Sequence, residues 1–142
     1  MEYQSFIDIY MGVPRAVICL HSALSYYQLT TTVPSLVMVA IPREYKPPVF
    51  QYPPVKYFFY SKKYYESGIE IVRTDSGIFK IYNKEKTIID CFRYRNRLGE
   101  EVAVEGLKKY VLSKNKDLNK LFYYAREGKM FNIIKPYVEA LM

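Results

Sequence analysis

The chain changes its residue pattern once, at Asn83, and this change constrains the fold more than any other feature. Before Asn83, short runs of β-branched and aromatic residues alternate with breaks that contain Gly or Pro, which is typical of strands. After Asn83, apolar residues recur at helical spacing as far as the C-terminus. A strand-rich half followed by a helical half predicts an α+β fold with a mixed or antiparallel sheet.

The first half is predicted to contain one helix and four strands. The helix covers residues 16–29, with Pro14 placed where a first helical turn accepts proline. The strands are predicted at residues 36–41, 55–60, 69–73 and 77–82. The first of these is a continuous apolar run between prolines, which indicates a central strand. Residues 62–66 are predicted to form a short helical turn that Ser61 caps.

The second half is predicted to contain a bundle of about four C-terminal helices. Their predicted ranges are residues 84–97, 100–112, 118–126 and 133–141, with Asn83 as the first N-cap and Gly99 as the first stop. A length of 142 residues fits one domain, residues 1–142. We expect its parts to be an entry segment (1–13), a helix and sheet (14–82) and a helical half (83–142).

The two cysteines and the absence of long apolar segments predict a cytoplasmic protein. Cys19 and Cys91 match no metal-ligand spacing and lie in apolar segments, so we expect two buried free thiols, although the sequence leaves a disulfide open. No apolar run approaches the roughly 20 residues that a membrane helix needs. The N-terminus has no basic stretch of the kind that begins a signal peptide, so we expect neither a signal peptide nor a membrane partner.

The sequence contains no grouping that predicts catalysis. The single histidine, His21, lies inside a predicted helix, where its sequence neighbours Ser22 and Ser25 are not placed as a nucleophile pair. Phosphate-binding glycine loops and zinc-ligand patterns are absent from the sequence. We therefore predict no enzyme activity, no cofactor and no metal.

One catalytic alternative stays open at the level of sequence. A metal-dependent nuclease needs carboxylates that converge on a metal ion, with a lysine beside the attacking water. Glu70, Asp75 and Lys80 supply these groups on the predicted hairpin, provided that the strand register brings the two carboxylates together.

The positive charge of the chain favours a polyanionic partner. The net charge is +7 and the isoelectric point is about 9.3, and nucleic acid is the usual partner of a basic domain. Simple solubility is the alternative explanation for a charge of this size.

The predicted helix over residues 84–97 is the most informative segment for binding. Ile88, Ile89 and Phe92 form its buried face. The residues predicted on the opposite, outer side are Lys86, Asp90, Arg93 and Arg97. This side is either a solvated ladder of ion pairs, each worth a few tenths of a kcal/mol, or a basic rib in which Asp90 fixes the arginine rotamers for a phosphate or an acidic partner. Arg95 lies at the edge of the apolar face, where we expect it to bind carbonyl groups or a buried acid.

The abundance of tyrosine provides a second candidate contact region. The chain has 16 tyrosines, several of them adjacent in pairs, so some must be exposed. Exposed tyrosine beside lysine or arginine is typical of contact surfaces. The clearest cluster is formed by Lys62, Lys63, Tyr64 and Tyr65. The alternative is that these aromatic rings cover the edge of the sheet.

Seven sequence blocks, taken together, resemble the AbiEi-type antitoxins of bacterial and archaeal abortive-infection systems. The blocks are ICLHSALSYYQLT (18–30), VAIPR (39–43), YPPVKYFFYS (52–61), SGIEIV (67–72), KTIIDCFRYRNRLG (86–99), VAVEGLK (102–108) and PYVEAL (136–141). The resemblance extends from about Val13 to the C-terminus, and the order and spacing of the blocks carry it. One departure is Gln28, which stands where the family often has glycine.

The resemblance implies an antitoxin of a type IV toxin–antitoxin pair, active in antiviral defence. Such proteins oppose a nucleotidyltransferase toxin, repress their own operon, and normally begin with a winged helix-turn-helix that binds promoter DNA. The thirteen residues before Pro14 are too few for a winged helix, so we expect this chain to correspond to the C-terminal antitoxicity domain. DNA or RNA binding through the basic face is then expected to be non-specific and to weaken steeply with salt.

Overall fold

The computed structural model describes residues 3–142 and has an α+β fold, as the sequence predicts. Residues 1 and 2 of the predicted entry segment lie outside the described residues. Two compact units are present: unit 1 contains residues 3–23 and Pro34–Asn83, and unit 2 contains Leu24–Val33 and Lys84–Met142. The strands are β1 (Val17–Ile18), β2 (Val37–Pro42), β3 (Val55–Tyr60), β4 (Ile69–Thr74) and β5 (Gly77–Tyr82). The helices are α1 (Gln4–Gly12), α2 (Leu20–Tyr26), α3 (Lys62–Glu66), α4 (Lys84–Arg93), α5 (Arg95–Leu98), α6 (Glu100–Val111), α7 (Leu118–Glu127) and α8 (Phe131–Leu141).

The five strands form one mixed sheet in unit 1, in the order β3-β2-β1-β5-β4. Strand β1 is antiparallel to β2 and parallel to β5, whereas β2 and β3 are parallel. Strand β2 has a neighbour on both sides, and its residues Val39, Ala40 and Ile41 are fully buried. The prediction of a central strand from the continuous apolar run is therefore confirmed, because such runs are buried on both faces of a sheet.

The hairpin of β4 and β5 also matches its prediction. The two strands are antiparallel, and Thr74 lies opposite Gly77 at the turn. The Thr74 hydroxyl stabilises this turn, since Oγ1 donates to the Gly77 carbonyl at 2.9 Å and accepts from the Ser76 amide at 3.2 Å. Such local side-chain bonds explain why Thr-Asp-Ser-Gly sequences form turns.

The helix predicted over residues 16–29 is wrong in its first part. Val17 and Ile18 form β1, which pairs on one side with β2 and on the other with β5. Two β-branched residues gain more from completing the sheet than from a first helical turn. Helix α2 begins only at Leu20. The backbone of Leu20 has a φ of 52°, and this left-handed conformation marks the change of direction between β1 and α2.

The predicted entry segment is an integral helix of unit 1. In α1, Phe6, Ile7 and Ile9 are buried, and the Phe6 ring meets the Phe79 ring of β5 edge-on at 5.3 Å. Gly77 allows α1 to pack closely against β5, because a Cβ atom at this position would lie 2.8 Å from Cγ2 of Ile7. The sequence periodicity of residues 4–12 was too weak to predict this helix.

Unit 2 is built around α4, which contacts both α6 and α7. The helix predicted over residues 84–97 is interrupted at Tyr94, so that α4 and α5 are separate elements. Asp117 caps α7, since its carboxylate accepts a 3.1 Å bond from the Lys120 amide. Helix α8 begins at Phe131, earlier than predicted, and therefore contains Pro136 after its first turn.

Candidate functional site

Helix α4 is buried along almost its whole length, which corrects one prediction about its surface. Ile88, Ile89 and Phe92 are buried as predicted, but Lys86 and Asp90 are also 0% exposed. The prediction of an outer, solvated side at these two residues is wrong. Periodicity within one helix identifies the apolar stripe, but it does not reveal that α6 and α7 cover additional faces of α4.

The buried polar groups of α4 are satisfied by protein partners. Among the described residues, every buried side-chain nitrogen or oxygen has a hydrogen-bond partner. Arg93 Nη1 lies 3.5 Å from Asp90 Oδ1, and its side chain is 31% exposed whereas that of Asp90 is fully buried. The pair thus links an interior carboxylate to a guanidinium at the surface, and both sequence interpretations of this helix include such an ion pair.

The segment from Arg93 to Arg97 places two guanidinium groups over a single aromatic ring. The central guanidinium carbons of Arg93 and Arg97 lie 5.8 and 5.5 Å from the centroid of Tyr94. Both arginines are exposed, and Tyr94 is half-buried. Cations at these distances are attracted to the face of the ring. We call Arg93, Tyr94 and Arg97 the arginine cluster.

Arg95 binds a carbonyl, which is one of the two kinds of partner that the sequence predicts for it. Its Nη1 donates to the Phe92 carbonyl oxygen at 2.7 Å and lies 3.9 Å from Sδ of Met130. Met130 is the residue before α8. Arg95 therefore connects α5 with the turn between α7 and α8.

The ends of α7 and α8 that flank this turn carry a second group of cations, which was not predicted from the sequence. Arg126 lies 4.4 Å and Lys135 lies 5.9 Å from the ring centroid of Phe131. We call Arg126, Phe131 and Lys135 the turn cluster. Lys129 is exposed in the same turn, where its φ is 59°. The cations are distant from Arg95 in sequence, so no local pattern would have associated them with α5.

In unit 1, the cluster predicted at residues 62–65 is only partly exposed. Lys62 and Lys63 are exposed, whereas Tyr65 is 6% exposed and donates from its hydroxyl to the Arg15 carbonyl at 2.6 Å. The Tyr64 ring meets the Tyr60 ring at 5.6 Å. Burial also raises the pKa of Tyr65. Tyr65 is thus a packing residue, and the two lysines are the part of this cluster that faces solvent.

A buried polar network joins three helices of unit 2. The Tyr110 hydroxyl donates to Glu85 and accepts from the Asp117 amide at 2.7 Å. Lys120 Nζ lies 3.6 Å from Oε1 of Glu85, whose side chain is 8% exposed. Burial is the main reason why the pKa of Tyr110 is raised far above its ordinary value, and the hydrogen bond to Glu85 raises it further. The sequence did not predict this network, because its interacting pairs are 7, 25 and 35 (120 − 85) residues apart.

The structure does not bring the predicted nuclease residues together. Glu70 lies opposite Ile81 near the start of β4, while Asp75 lies in the turn beyond the end of this strand. Five residues of extended chain separate their backbones by about 16 Å. Within residues 3–142, no three His, Cys, Asp or Glu side chains group closely enough to hold a metal ion.

The two cysteines and the single histidine, which the sequence offered as possible reactive groups, are buried or half-buried. Cys19 and Cys91 are both free and buried, as predicted. Burial is the main reason why the pKa of the Cys91 thiol is raised well above its usual value, and the negative charge of Asp90 raises it further. His21 is half-buried in α2.

Comparisons with known proteins leave the family of this chain open. No protein-family model matches the chain, and no curated protein matches it. In the part of the chain that the structure describes, every helix is too short or too polar to traverse a lipid bilayer. The resemblance to the AbiEi-type antitoxins therefore stays a prediction.

Proposed function

We propose that this chain is a non-enzymatic antitoxin domain that counteracts a nucleotidyltransferase toxin in an antiviral, abortive-infection system. In this proposal it acts in the cytoplasm, needs no cofactor and consists of a sheet unit followed by a bundle of helices. Contact with the toxin, or with the molecule on which the toxin acts, takes place through the exposed cations of the two units.

The observation that carries this proposal is the ordered set of seven sequence blocks. The blocks include many residues that are buried and therefore specify the fold, such as Ile18, Val39 and Ile88. The longest block, residues 86–99, also contains the exposed Arg93 and Arg97. A resemblance that includes both interior and surface residues supports a common role better than one restricted to apolar positions.

The test is co-expression with the nucleotidyltransferase encoded by a neighbouring gene. Cells that express this toxin alone are expected to stop growing, and cells that also express the chain are expected to recover. Growth arrest that persists at equal protein levels would count against the antitoxin role. A variant that fails to fold, such as Ile88→Asp, is a suitable negative control, because it introduces a carboxylate at a fully buried position.

A second role, nucleic-acid binding that contributes to transcriptional regulation, is favoured by a separate observation. The chain has a net charge of +7, and its exposed cations gather in clusters around aromatic rings. Basic residues that are concentrated in this way are typical of surfaces that meet phosphate groups. Titration with nucleic acid at low and high salt tests this role, since electrostatic binding weakens steeply with salt.

A further inference from the structure

Arg95 connects the two segments of unit 2 that carry cation–aromatic clusters. The arginine cluster belongs to the region where α4 ends and α5 begins, and the turn cluster belongs to α7 and α8. Arg95 contacts both regions, through the Phe92 carbonyl and through Met130. A second contact, between the Phe92 and Tyr137 rings at 5.4 Å, also joins α4 to α8. These contacts join the two segments that carry the clusters within one folded unit.

The charge of this region is strongly biased towards cations. The segments 93–98 and 126–135 contain one acidic residue, Glu127, and two exposed glutamates, Glu100 and Glu101, follow the first segment. Their cations are Arg93, Arg95, Arg97, Arg126, Lys129 and Lys135, and all of them except the half-buried Arg95 are exposed. Asp90, which pairs with Arg93 of the arginine cluster, is fully buried. The surface thus presents an excess of positive charge to solvent.

The aromatic rings of this surface hold cations in place. The faces of Tyr94 and Phe131 are each approached by two cationic groups within 6 Å. A guanidinium held over a ring and tied to a carboxylate loses less conformational freedom when it binds a phosphate than a freely moving side chain does. Rings that cations already occupy are poor platforms for stacking nucleobases, so this arrangement suits phosphate contacts better than base contacts.

We propose that the arginine cluster and the turn cluster together bind the sugar–phosphate backbone of duplex DNA without sequence preference. Duplex DNA carries one charge per about 1.7 Å of helix axis, so it offers closely spaced phosphates to cations of both clusters at once. No element of this surface is required to enter a groove and read base edges. This inference rests on the second proposed role, whereas the antitoxin role is tested separately by toxin co-expression.

The experiment measures binding of the full chain to a 20-base-pair duplex over a series of salt concentrations. Arg93→Gln with Arg97→Gln removes the arginine cluster, and Arg126→Gln with Lys135→Gln removes the turn cluster. Lys108→Gln with Lys114→Gln is the matched control, because it removes two exposed charges from unit 2 at positions outside both clusters. Circular dichroism establishes that each variant is folded.

Each cluster variant is expected to lower the salt slope by about 2 and the affinity by roughly 50-fold at 0.1 M salt, since each phosphate contact changes the slope by about 0.9. The control variant is expected to change the affinity less than threefold. Arg93→Lys with Arg97→Lys retains the charge and is expected to retain most of the slope. Two duplexes of unrelated sequence are expected to bind equally.

The possible failures are distinguishable. Phosphate contacts are already strong at about 50 mM salt and are stronger at roughly 20 mM. If the wild-type chain binds no nucleic acid at roughly 20 mM salt, both the second role and this inference are wrong. If it binds but neither cluster variant differs from the control, the role stands and the inference is wrong. If single-stranded RNA of equal length binds more tightly than the duplex, the assignment to duplex DNA is wrong. None of these results changes the outcome of toxin co-expression.

Discussion

Replacing Tyr110 by phenylalanine tests how much of the stability of unit 2 comes from its buried polar network. The substitution keeps the ring, which is 1% exposed, and removes only the hydroxyl that bonds to Glu85 and to the Asp117 amide. Glu85 keeps the Lys120 ammonium at 3.6 Å, but this lysine side chain is 41% exposed and therefore compensates weakly.

The expected cost follows from the two bonds that are lost. A hydrogen bond to a charged group contributes about 1.5–3 kcal/mol, and one between neutral groups contributes about 0.5–1.5 kcal/mol. Both partners of Tyr110 stay in place without it, so their desolvation is no longer offset. We therefore expect Tyr110→Phe to lower the free energy of unfolding by about 2–4 kcal/mol.

Urea unfolding followed by far-ultraviolet circular dichroism measures this difference. Tyr57→Phe is the matched control, because the Tyr57 hydroxyl makes one exposed bond to the Pro48 carbonyl at 3.0 Å. The control is expected to cost about 0.5 kcal/mol. If the two substitutions lower the free energy of unfolding equally, the network does not stabilise the fold and the reasoning from burial is refuted.

Four further predictions concern groups with unusual surroundings. The pKa of Tyr110 is raised in the folded state, so the unfolded chain loses the phenolic proton first as the pH rises above about 10. Wild type should therefore lose its stability advantage over Tyr110→Phe by up to about 1.4 kcal/mol per pH unit above this pH. Urea unfolding of both proteins between about pH 9 and pH 11 measures the change. Arg93→Ala should destabilise the chain by roughly 1–3 kcal/mol, since it leaves the fully buried Asp90 carboxylate without this guanidinium, whereas Arg93→Lys, which keeps a cation at this position, should cost less than about 1 kcal/mol; equal shifts in thermal melting would contradict this. Cys91 should resist a thiol-reactive dye in the native protein and react on unfolding, because it is buried and its pKa is raised; rapid native labelling would refute this. Gln28→Gly should stabilise the chain by about 0.5–1 kcal/mol, because Gln28 has a φ of 61° that favours glycine; a lower melting temperature would oppose it.

The elements that were predicted correctly are those whose residues carry their own local signal. Strand β3 and the β4–β5 hairpin have the expected bounds to within one residue, because β-branched and aromatic runs end at turn-forming residues there. By contrast, Val17 and Ile18 form a strand only because β2 and β5 lie on both sides. A pairing of this kind depends on residues distant in sequence, so no window around Val17 predicts it.

The candidate site was predicted in part for the same reason. The apolar stripe of the predicted helix placed Arg93 and Arg97 outside it and Arg95 at its edge, although the three arginines are divided between α4 and α5 in the structure. Lys86 and Asp90 were predicted on the side of the helix opposite to the apolar stripe, yet both are fully buried, so the chain also covers that side of α4. The turn cluster depends on the return of the chain past Arg95 at Met130, which the sequence alone does not predict.

The antitoxin role is tested most directly by counting colonies of cells that express the neighbouring nucleotidyltransferase with or without this chain. The account predicts that the wild-type chain restores colony numbers to those of cells without the toxin, and that Ile88→Asp does not. If the folded wild-type chain is present in excess over the toxin and colony numbers stay as low as with the toxin alone, the proposed function is contradicted.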